Sequence, residues 1–342
     1  MTTSTDLPVA PPQPLPPRRS RFSRWQKALI GVLGFIVLVV FGGAAFLAWT
    51  SSKIDRIPAE DLASLNPVVG VTRTFLIVGS DSRENLPDDF NTDFFGDFAG
   101  ERADVIMLAR FEPGSGVKLL SLPRDLKVEI PGRGTNKVNA AYAFGGPDLL
   151  VATVQNATGI NINHYVEIDF GGFARVIDAL GGVEMVFDYP ARDNKSGLSI
   201  TEPGTHVLDG EQALAFARSR SYQELRDGAW TTIGGNDIAR TGRQQQLILE
   251  IFEEATDLGN AFDLPRFATT FAEQITADSG ITAGLILDLG RAALGLDLQD
   301  IDRTTLPVTI TEEGGVSYVV PRPAQSALVL EAFVNGTPFP VE

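Results

Sequence analysis

Two carboxylates and a recurring set of arginines stand at the ends of apolar runs, where folding would carry polar groups to one edge of a sheet. Asp81 follows the run 74–79 after Ser80, and Asp104 immediately precedes the run 105–111. If those runs are antiparallel neighbours, the end of one lies beside the start of the next. Both carboxylates can then approach one hard cation such as Mg²⁺. Taken singly, either aspartate has the ordinary role of capping a turn. The arginines are Arg83, Arg102, Arg124, Arg218, Arg220, Arg240 and Arg243, each of which alone is ordinarily a surface ion-pair partner. Guanidinium suits phosphate because its planar fork engages two oxygens and stays charged at any relevant pH. On a helix expected from Asp237 through Glu254, Arg240 and Gln244 are i,i+4 neighbours, while Arg243 and Leu247 share an overlapping face. Anion-binding groups then adjoin apolar surface, which suits an amphiphile with phosphate at one end and hydrocarbon at the other. Lys137 either adds a point charge to this set or is a solvated loop residue.

The elements that must position these groups are legible in outline. Residues 74–79 read as a buried strand, and 105–111 and 117–122 as strands joined by a Pro-Gly-containing hairpin connection. Gly146-Pro147-Asp148 predicts a helix start and Gly159 its stop. A strand over 162–170 leads into a helix over 173–180, ended by Gly181-Gly182, and 183–187 returns to strand. Asp209 followed three residues later by Gln212 predicts a capped helix whose end frays at Arg218 and Arg220, letting both enter a cleft. Beyond Leu264, helices over 267–277 and 283–296 and strands over 305–310 and 316–320 read as supports for the same core. The acidic stretch 85–101 reads as a long loop or lid. Interspersed strands and helices favour an α/β or α+β sandwich over an all-helical fold.

Composition narrows the function. The net charge is −15 although the first 27 residues are basic, so the remainder is strongly acidic, and nucleic-acid binding is disfavoured for want of a broad positive field. The absence of cysteine removes disulfide and thiolate chemistry. His164 and His206 lack metal-ligand spacing and read as packing or turn residues. Neither a G-x-S-x-G elbow nor a dinucleotide fingerprint occurs. Arg18, Arg19, Arg21, Arg24 and Lys27 stand before the uncharged run 28–49, which as a helix extends about 33 Å, enough to span a bilayer. That charge flank predicts a single pass with the N-terminus cytoplasmic and the rest extracytoplasmic. The expected organisation is a disordered Pro-rich, basic leader (1–27), the membrane helix (28–49), a linker (50–71) and an extracytoplasmic catalytic domain (72–342).

The ordered set of segments resembles the LytR-CpsA-Psr family of membrane-anchored cell-wall ligases. It comprises Val78-Gly79-Ser80-Asp81-Ser82-Arg83, Arg102-Ala103-Asp104-Val105, Ser121-Leu122-Pro123-Arg124-Asp125, Lys137-Val138-Asn139-Ala140-Ala141-Tyr142, Leu208-Asp209-Gly210-Glu211-Gln212, Arg218-Ser219-Arg220 and Asp237-Ile238-Ala239-Arg240-Thr241-Gly242-Arg243-Gln244-Gln245. Leu122 stands where the family commonly has Ile, and Val105 where it has Thr; both changes conserve shape. The resemblance implies a three-layer α/β/α sandwich with a mixed central sheet and a hydrophobic pocket for a polyprenyl chain. It implies transfer of a glycan phosphate from polyprenyl pyrophosphate to a peptidoglycan sugar hydroxyl at the cytoplasmic membrane, with arabinogalactan, teichoic acid or a capsular polysaccharide as the cargo. By motif position it assigns Asp81 and Asp104 to Mg²⁺, with Mn²⁺ as the alternative ion. Arg83, Arg124, Arg218, Arg240, Arg243 and Gln244 become pyrophosphate contacts, with Arg102 and Arg220 in support. Asp125 either accepts the hydroxyl proton or orients Arg124. The competing readings are a noncatalytic module that captures lipid-linked polyanions or wall glycans, and a polyprenyl-linked pyrophosphatase. The segments 85–101 and 222–236 are the ones expected to reshape access to the site.

Overall fold

The structure, a computed structural model, describes residues 43, 45–82, 102–234, 237–256, 263–293 and 301–340. The chain divides into two units, Met1–Phe46 and Leu47–Glu342, and the fold below is that of the second. The run 28–49 lies almost wholly outside the described residues, as do Arg83 and the stretch 85–101. Among the described residues no helix is long and apolar enough to cross a membrane.

Strands β1 (Asp55–Ile57), β2 (Arg73–Ser80), β3 (Ala103–Phe111) and β4 (Val117–Ser121) precede a hairpin of β5 (Lys127–Ile130) and β6 (Gly134–Lys137). Helix α1 (Val138–Thr158), β7 (His164–Asp169), α2 (Phe170–Leu180) and β8 (Val183–Phe187) follow. Next come β9 (Ala191–Asp193), β10 (Leu198–Ile200), β11 (Gly204–Leu208), α3 (Gly210–Arg218), the hairpin β12 (Gln223–Arg226) and β13 (Ala229–Thr232), and α4 (Asp237–Thr256). The chain closes with α5 (Asp263–Gln274), β14 (Ile275–Asp278), α6 (Ala283–Ala293), β15 (Ile301–Thr305), β16 (Val308–Glu313), β17 (Val316–Pro321) and α7 (Pro323–Asn335).

Seven strands form the central sheet in the order β1-β14-β7-β2-β3-β4-β15. It is mixed: β2 runs antiparallel to β3 and parallel to β7. Because side chains alternate along a strand, β2 buries Leu76 and Val78 with Leu150, Val151 and Val154 of α1 and Phe333 of α7. Phe75 turns the other way, into a cluster with Ala272 of α5 and Leu285 of α6. Helices therefore cover both faces of the sheet, which is why its middle strand is apolar throughout instead of alternating. The expected cap of α3 is present, with Asp209 accepting from the Gln212 amide at 2.9 Å. His164 packs as expected, stacked on Phe75 and 3.2 Å from Asp278, and the His206 ring faces the Glu202 carbonyl.

Several expectations are corrected. The helix expected to start at Gly146-Pro147-Asp148 is there, but α1 also has an earlier stretch from Val138, where Val138, Ala141 and Tyr142 have core to bury against; the two meet at a kink where Gly145 and Gly146, the latter with φ of 66°, leave helical geometry. The end of the segment read as one helix, 267–277, instead forms β14, which slots between β1 and β7 with Ile275 and Ala277 buried. Residues 301–305 add β15 beside β4; its Asp302 and Arg303 masked the strand, yet Asp302 is held by Lys118 and by the Phe339 amide. The stretch read as a linker contains β1. Residues 223–232 form a hairpin that joins β9 and β10 in a second, four-stranded sheet of order β10-β9-β12-β13.

The close seat of α3 on α2 yields a stability test. A methyl at Gly210 would run into the Ala174 backbone, which cannot swing aside as a side chain can. Gly210→Ala is expected to cost about 1–3 kcal/mol, read as a lower midpoint in urea unfolding with unchanged slope.

Candidate active site

The β2–β3 ladder ends in a bulge. Gly79 opposes Val105 and Ser80 opposes Ala103, so Asp104 is the extra, unpaired residue. Such an insertion re-aims side chains at a sheet edge. Its effect on parity is visible: Ala103 and Ile106 share one core cluster although three positions apart. Gly79 lets the ladder close there, since a Cβ on it would sit 3.0 Å from Val105 carbons. Past the bulge, the Asp81 amide donates to the Arg102 carbonyl at 3.0 Å, and the Asp81 carboxylate accepts from the Arg102 amide at 2.6 Å. Asp81 and Asp104 are thus diagonal neighbours, a relation that separates α-carbons by roughly 7–8 Å.

Arg124, delivered by the turn after β4, forms an ion pair with Asp104. Arg240, 3% exposed on α4, reaches the Asp104 carbonyl at 3.3 Å. One turn along, Arg243 donates to the Ser219 carbonyl at 2.5 Å and lies over the Tyr222 ring, and Gln244 donates to the Ala217 carbonyl at 3.2 Å. Burial lowers the Arg243 pKa against the opposing pull of Tyr222 and Asp193. Burial also pushes the Tyr222 hydroxyl up to about 12, reinforced by Glu224 and opposed by Arg243, so its ring faces the guanidinium uncharged. Gln245 ties α4 to the sheet through the Ser121 hydroxyl and Thr304 carbonyl, both at 2.8 Å. Arg218 ends α3 with its guanidinium over Phe170, and Ser219 takes an extended conformation that turns Arg220 away from the helix axis. Lys137 pairs with Asp125 at 3.0 Å, adjacent in the chain to Arg124.

The structure therefore brings Asp81, Arg102, Asp104, Arg124 and Arg240 to one end of β2, β3 and β4. Through α4 it links them to Arg218, Arg220, Arg243 and Gln244. Arg83 lies outside the described residues. Ser80, Glu167, Asp169 and Arg175 line an adjoining polar cavity of about 350 Å³. Ser80 Oγ and Arg243 Nε are buried with no hydrogen-bond partner among the described residues, two polar atoms that an oxyanion and its hydrated cation would satisfy. Among the described residues no three acidic or histidine side chains converge to cage a metal. Asp81 and Asp104 offer two carboxylates, the number from which Mg²⁺ usually fills its octahedron with water and phosphate oxygens.

The residue that sequence reasoning missed is Asp193. It is 1% exposed, and one of its oxygens accepts from the Ser219 hydroxyl (2.7 Å) and the amides of Arg220 (2.9 Å) and Ser221 (2.7 Å). The other oxygen accepts from the Lys195 amide at 2.9 Å. Nothing in the local string Ala191-Arg192-Asp193 signals a contact with residues 219–221, since the pairing is long-range. Desolvation would raise this carboxyl's pKa, but the hydrogen bonds from Ser219, Ser221, Lys195 and Arg220 together hold it below the usual carboxylate range. A depressed folded-state pKa means stability present above the unfolded value of about 3.9 and lost as pH falls through the folded value. Asp193→Asn is expected to unfold more easily than the parent by about 1–3 kcal/mol at pH 7, with the gap closing in melts below pH ~4.

The fold and site define a mixed α/β domain that gathers guanidinium groups and two carboxylates at one end of β2, β3 and β4. Residues 50–332 match the LytR_cpsA_psr family, and the chain belongs to that family. It is 36% identical over 233 residues to LcpB of Corynebacterium glutamicum, a probable cell wall biosynthesis protein; the match covers 68% of this chain and about half, 52%, of that relative's length. It is 30% identical over 267 residues to TagU of Halalkalibacterium halodurans, a polyisoprenyl-teichoic acid–peptidoglycan teichoic acid transferase, over 74% of this chain and 80% of TagU. Its fold is similar to that of a LytR-Csp2A-Psr enzyme from Actinomyces oris, with a TM-score of 0.63 and 29% identity over 82% of this chain and 95% of that one.

Proposed function

We propose that this protein is a Mg²⁺-dependent phosphotransferase that moves a glycan phosphate from polyprenyl pyrophosphate to a sugar hydroxyl of peptidoglycan. The observation that carries the reading is the bulge at Asp104, which sets two carboxylates at the mouth of a guanidinium cluster. A capture module needs the arginines but not the carboxylate pair. The named activity of TagU, which joins a polyisoprenyl-linked polymer to peptidoglycan, supports the same donor and acceptor classes. Leu247, one turn past Arg243 on α4, is buried in the core around Phe216, so the case for a lipid-linked donor rests on the likeness to TagU. Each methylene of a prenyl chain that leaves water on binding contributes about 0.8 kcal/mol.

In the proposed reaction the sugar hydroxyl oxygen attacks the glycan-bearing phosphorus. A phosphodiester bond forms, and the bond to the bridging oxygen breaks with its electron pair leaving on polyprenyl phosphate. Asp81 and Asp104 would hold Mg²⁺, which when bound offsets charge on the diphosphate. Arg124, Arg218, Arg240 and Arg243 stabilise the charge that grows on the leaving phosphate, and Gln244 fixes the Ala217 carbonyl beside them. Asp125, paired with Lys137 at 3.0 Å, would hold the Arg124 turn. The hydroxyl proton is released to water, late in a loose transition state. The run 28–49 would keep the domain on the outer side of the membrane that carries the donor.

The test incubates the full chain in detergent with a polyprenyl-pyrophosphate glycan and peptidoglycan oligomers, with Mg²⁺ or with chelator. Covalent glycan–peptidoglycan product that needs Mg²⁺ is expected. Retention without product would instead identify a binding module, and phosphate release indifferent to added acceptor would identify a pyrophosphatase.

A further inference from the structure

The sheet β10-β9-β12-β13 has an outward side that the phosphotransfer chemistry leaves unused. Its inward side is committed: Ala191, Leu198 and Ile200 are buried around Phe216, and Asp193 anchors residues 219–221. By strand register, Ser199, Arg192, Gln223 and Thr232 form one row across all four strands on the outward side, and Leu225 opposes Trp230 in the next. Residues directly opposite one another share a face, so these six side chains make one surface whose row is about 14 Å across. Arg192 Nε donates to the Gln223 side chain at 3.0 Å, and its guanidinium lies 4.0 Å from the Trp230 ring centroid. Trp230 is still 37% exposed. An open cavity of about 650 Å³ lies over this side, lined by Arg192, Asn194, Ser199, Leu225 and Trp230 among others.

The donor set selects the ligand class. An indole held rigid by a guanidinium offers aromatic carbon to a flat C–H surface, and hydroxyl, amide and guanidinium groups around it offer hydrogen bonds on several sides. A hydrocarbon chain would leave that polar row unpaired, and a polyphosphate would need more than the one arginine the row supplies. A protein partner would call for a wider apolar patch than one indole and one leucine. A pyranose satisfies both halves, since its ring carries C–H groups on its faces and hydroxyls around its rim.

We propose that this outward side is a glycan-binding subsite, in which a pyranose chain stacks on Trp230 and hydrogen-bonds to Arg192, Asn194 and Ser199. It is distinct from the diphosphate site. Asp193, the residue after Arg192 on β9, faces the opposite side of the sheet and holds the backbone of residues 219–221 there, so the arginine segment and the saccharide surface use opposite sides of one sheet. The subsite would therefore grip sugars remote from the reacting one. The peptidoglycan backbone and the donor's own glycan present the same chemistry; naming those two sources rests on the proposed transfer reaction, whereas saccharide binding itself does not.

Tryptophan occurs only at positions 25, 49 and 230, so Trp25→Phe with Trp49→Phe in the full chain leaves Trp230 as the sole indole. That protein, in detergent, is titrated with stem-free peptidoglycan oligosaccharides in one arm and lipid-free, uncharged pyranose oligosaccharides of a donor glycan in the other. A saturable change of emission with either saccharide is expected, and the responding arm identifies the source. In calorimetry on the native-tryptophan chain, Trp230→Ala should weaken that binding about tenfold or more, a loss of ~1.4 kcal/mol. In transfer assays the KM for a long polymer should rise more than that for a short one. No emission change with either saccharide up to about 10 mM, far weaker than any useful affinity, overturns the proposal. So does Trp230→Ala that binds saccharide as the parent does, or Trp230-dependent self-association in place of saccharide binding. Because binding is read without donor lipid or Mg²⁺, a failure of transfer leaves this result interpretable.

Discussion

Asp81→Asn is expected to lower transfer about 10³-fold while the protein stays folded, since a preorganised charge at the reacting diphosphate contributes on that scale. The asparagine side chain is nearly the same size, and its carbonyl oxygen can still accept from the Arg102 amide that Asp81 now engages at 2.6 Å. What disappears is the negative charge at the end of the β2–β3 ladder. The measurement pairs turnover at increasing Mg²⁺ with a thermal melt. Loss of turnover that high Mg²⁺ partly restores, with a melting temperature within a few degrees of the parent, places Asp81 at the ion. Full transfer by this variant would sink the assignment of Asp81 and Asp104 to a metal, whatever the fate of the arginines.

The second large effect is expected at Arg240. The residue is 3% exposed and its guanidinium reaches the carbonyl of Asp104, whose carboxylate is paired with Arg124. Arg240→Lys keeps the charge and most of the length but loses the planar fork, which is not a conservative change at a site that engages several acceptors at once. We expect kcat to fall about 10²–10³-fold, the range for losing one donor aimed at developing charge. Donor KM should move far less, because the remaining arginines still bind the ground-state diphosphate. An equal rise in KM with kcat unchanged would instead make Arg240 a uniform binding residue.

Burial explains why lysine is a sharp test here. On an exposed helix face an arginine exchanges for lysine at little cost, whereas inside a cluster of cations the new ammonium also carries its own desolvation penalty. A melt of Arg240→Lys should therefore accompany the kinetics. The back-to-back arrangement at β9 adds a further consequence. Asp193→Asn should disturb the residues 219–221, and with them Arg218 and Arg220, while Trp230→Ala should leave those contacts in place.

What the sequence determined by itself was whatever a local pattern can encode. The apolar run of β2, the cap at Asp209, the fraying of α3 at Arg218 and the i,i+4 placement of Arg240 and Gln244 all follow from neighbours within about one turn or one strand. The ordered motifs also named the family, because their residue types recur in a fixed series. Tertiary structure alone decided matters that depend on partners far along the chain. Only strand pairing reveals that Asp104 is the inserted residue of a bulge, since Ala103-Asp104-Val105 reads as ordinary strand until Gly79 and Ser80 lie opposite it. Residues 275–278 became β14, and not the end of a helix, because a gap between β1 and β7 awaited a strand there. Asp193 became the hub of the arginine segment because folding carried residues 219–221 to its oxygens. Local periodicity fixes which face a side chain takes, but what meets that face is set by chain closure over tens to hundreds of residues, and no short window of sequence contains it.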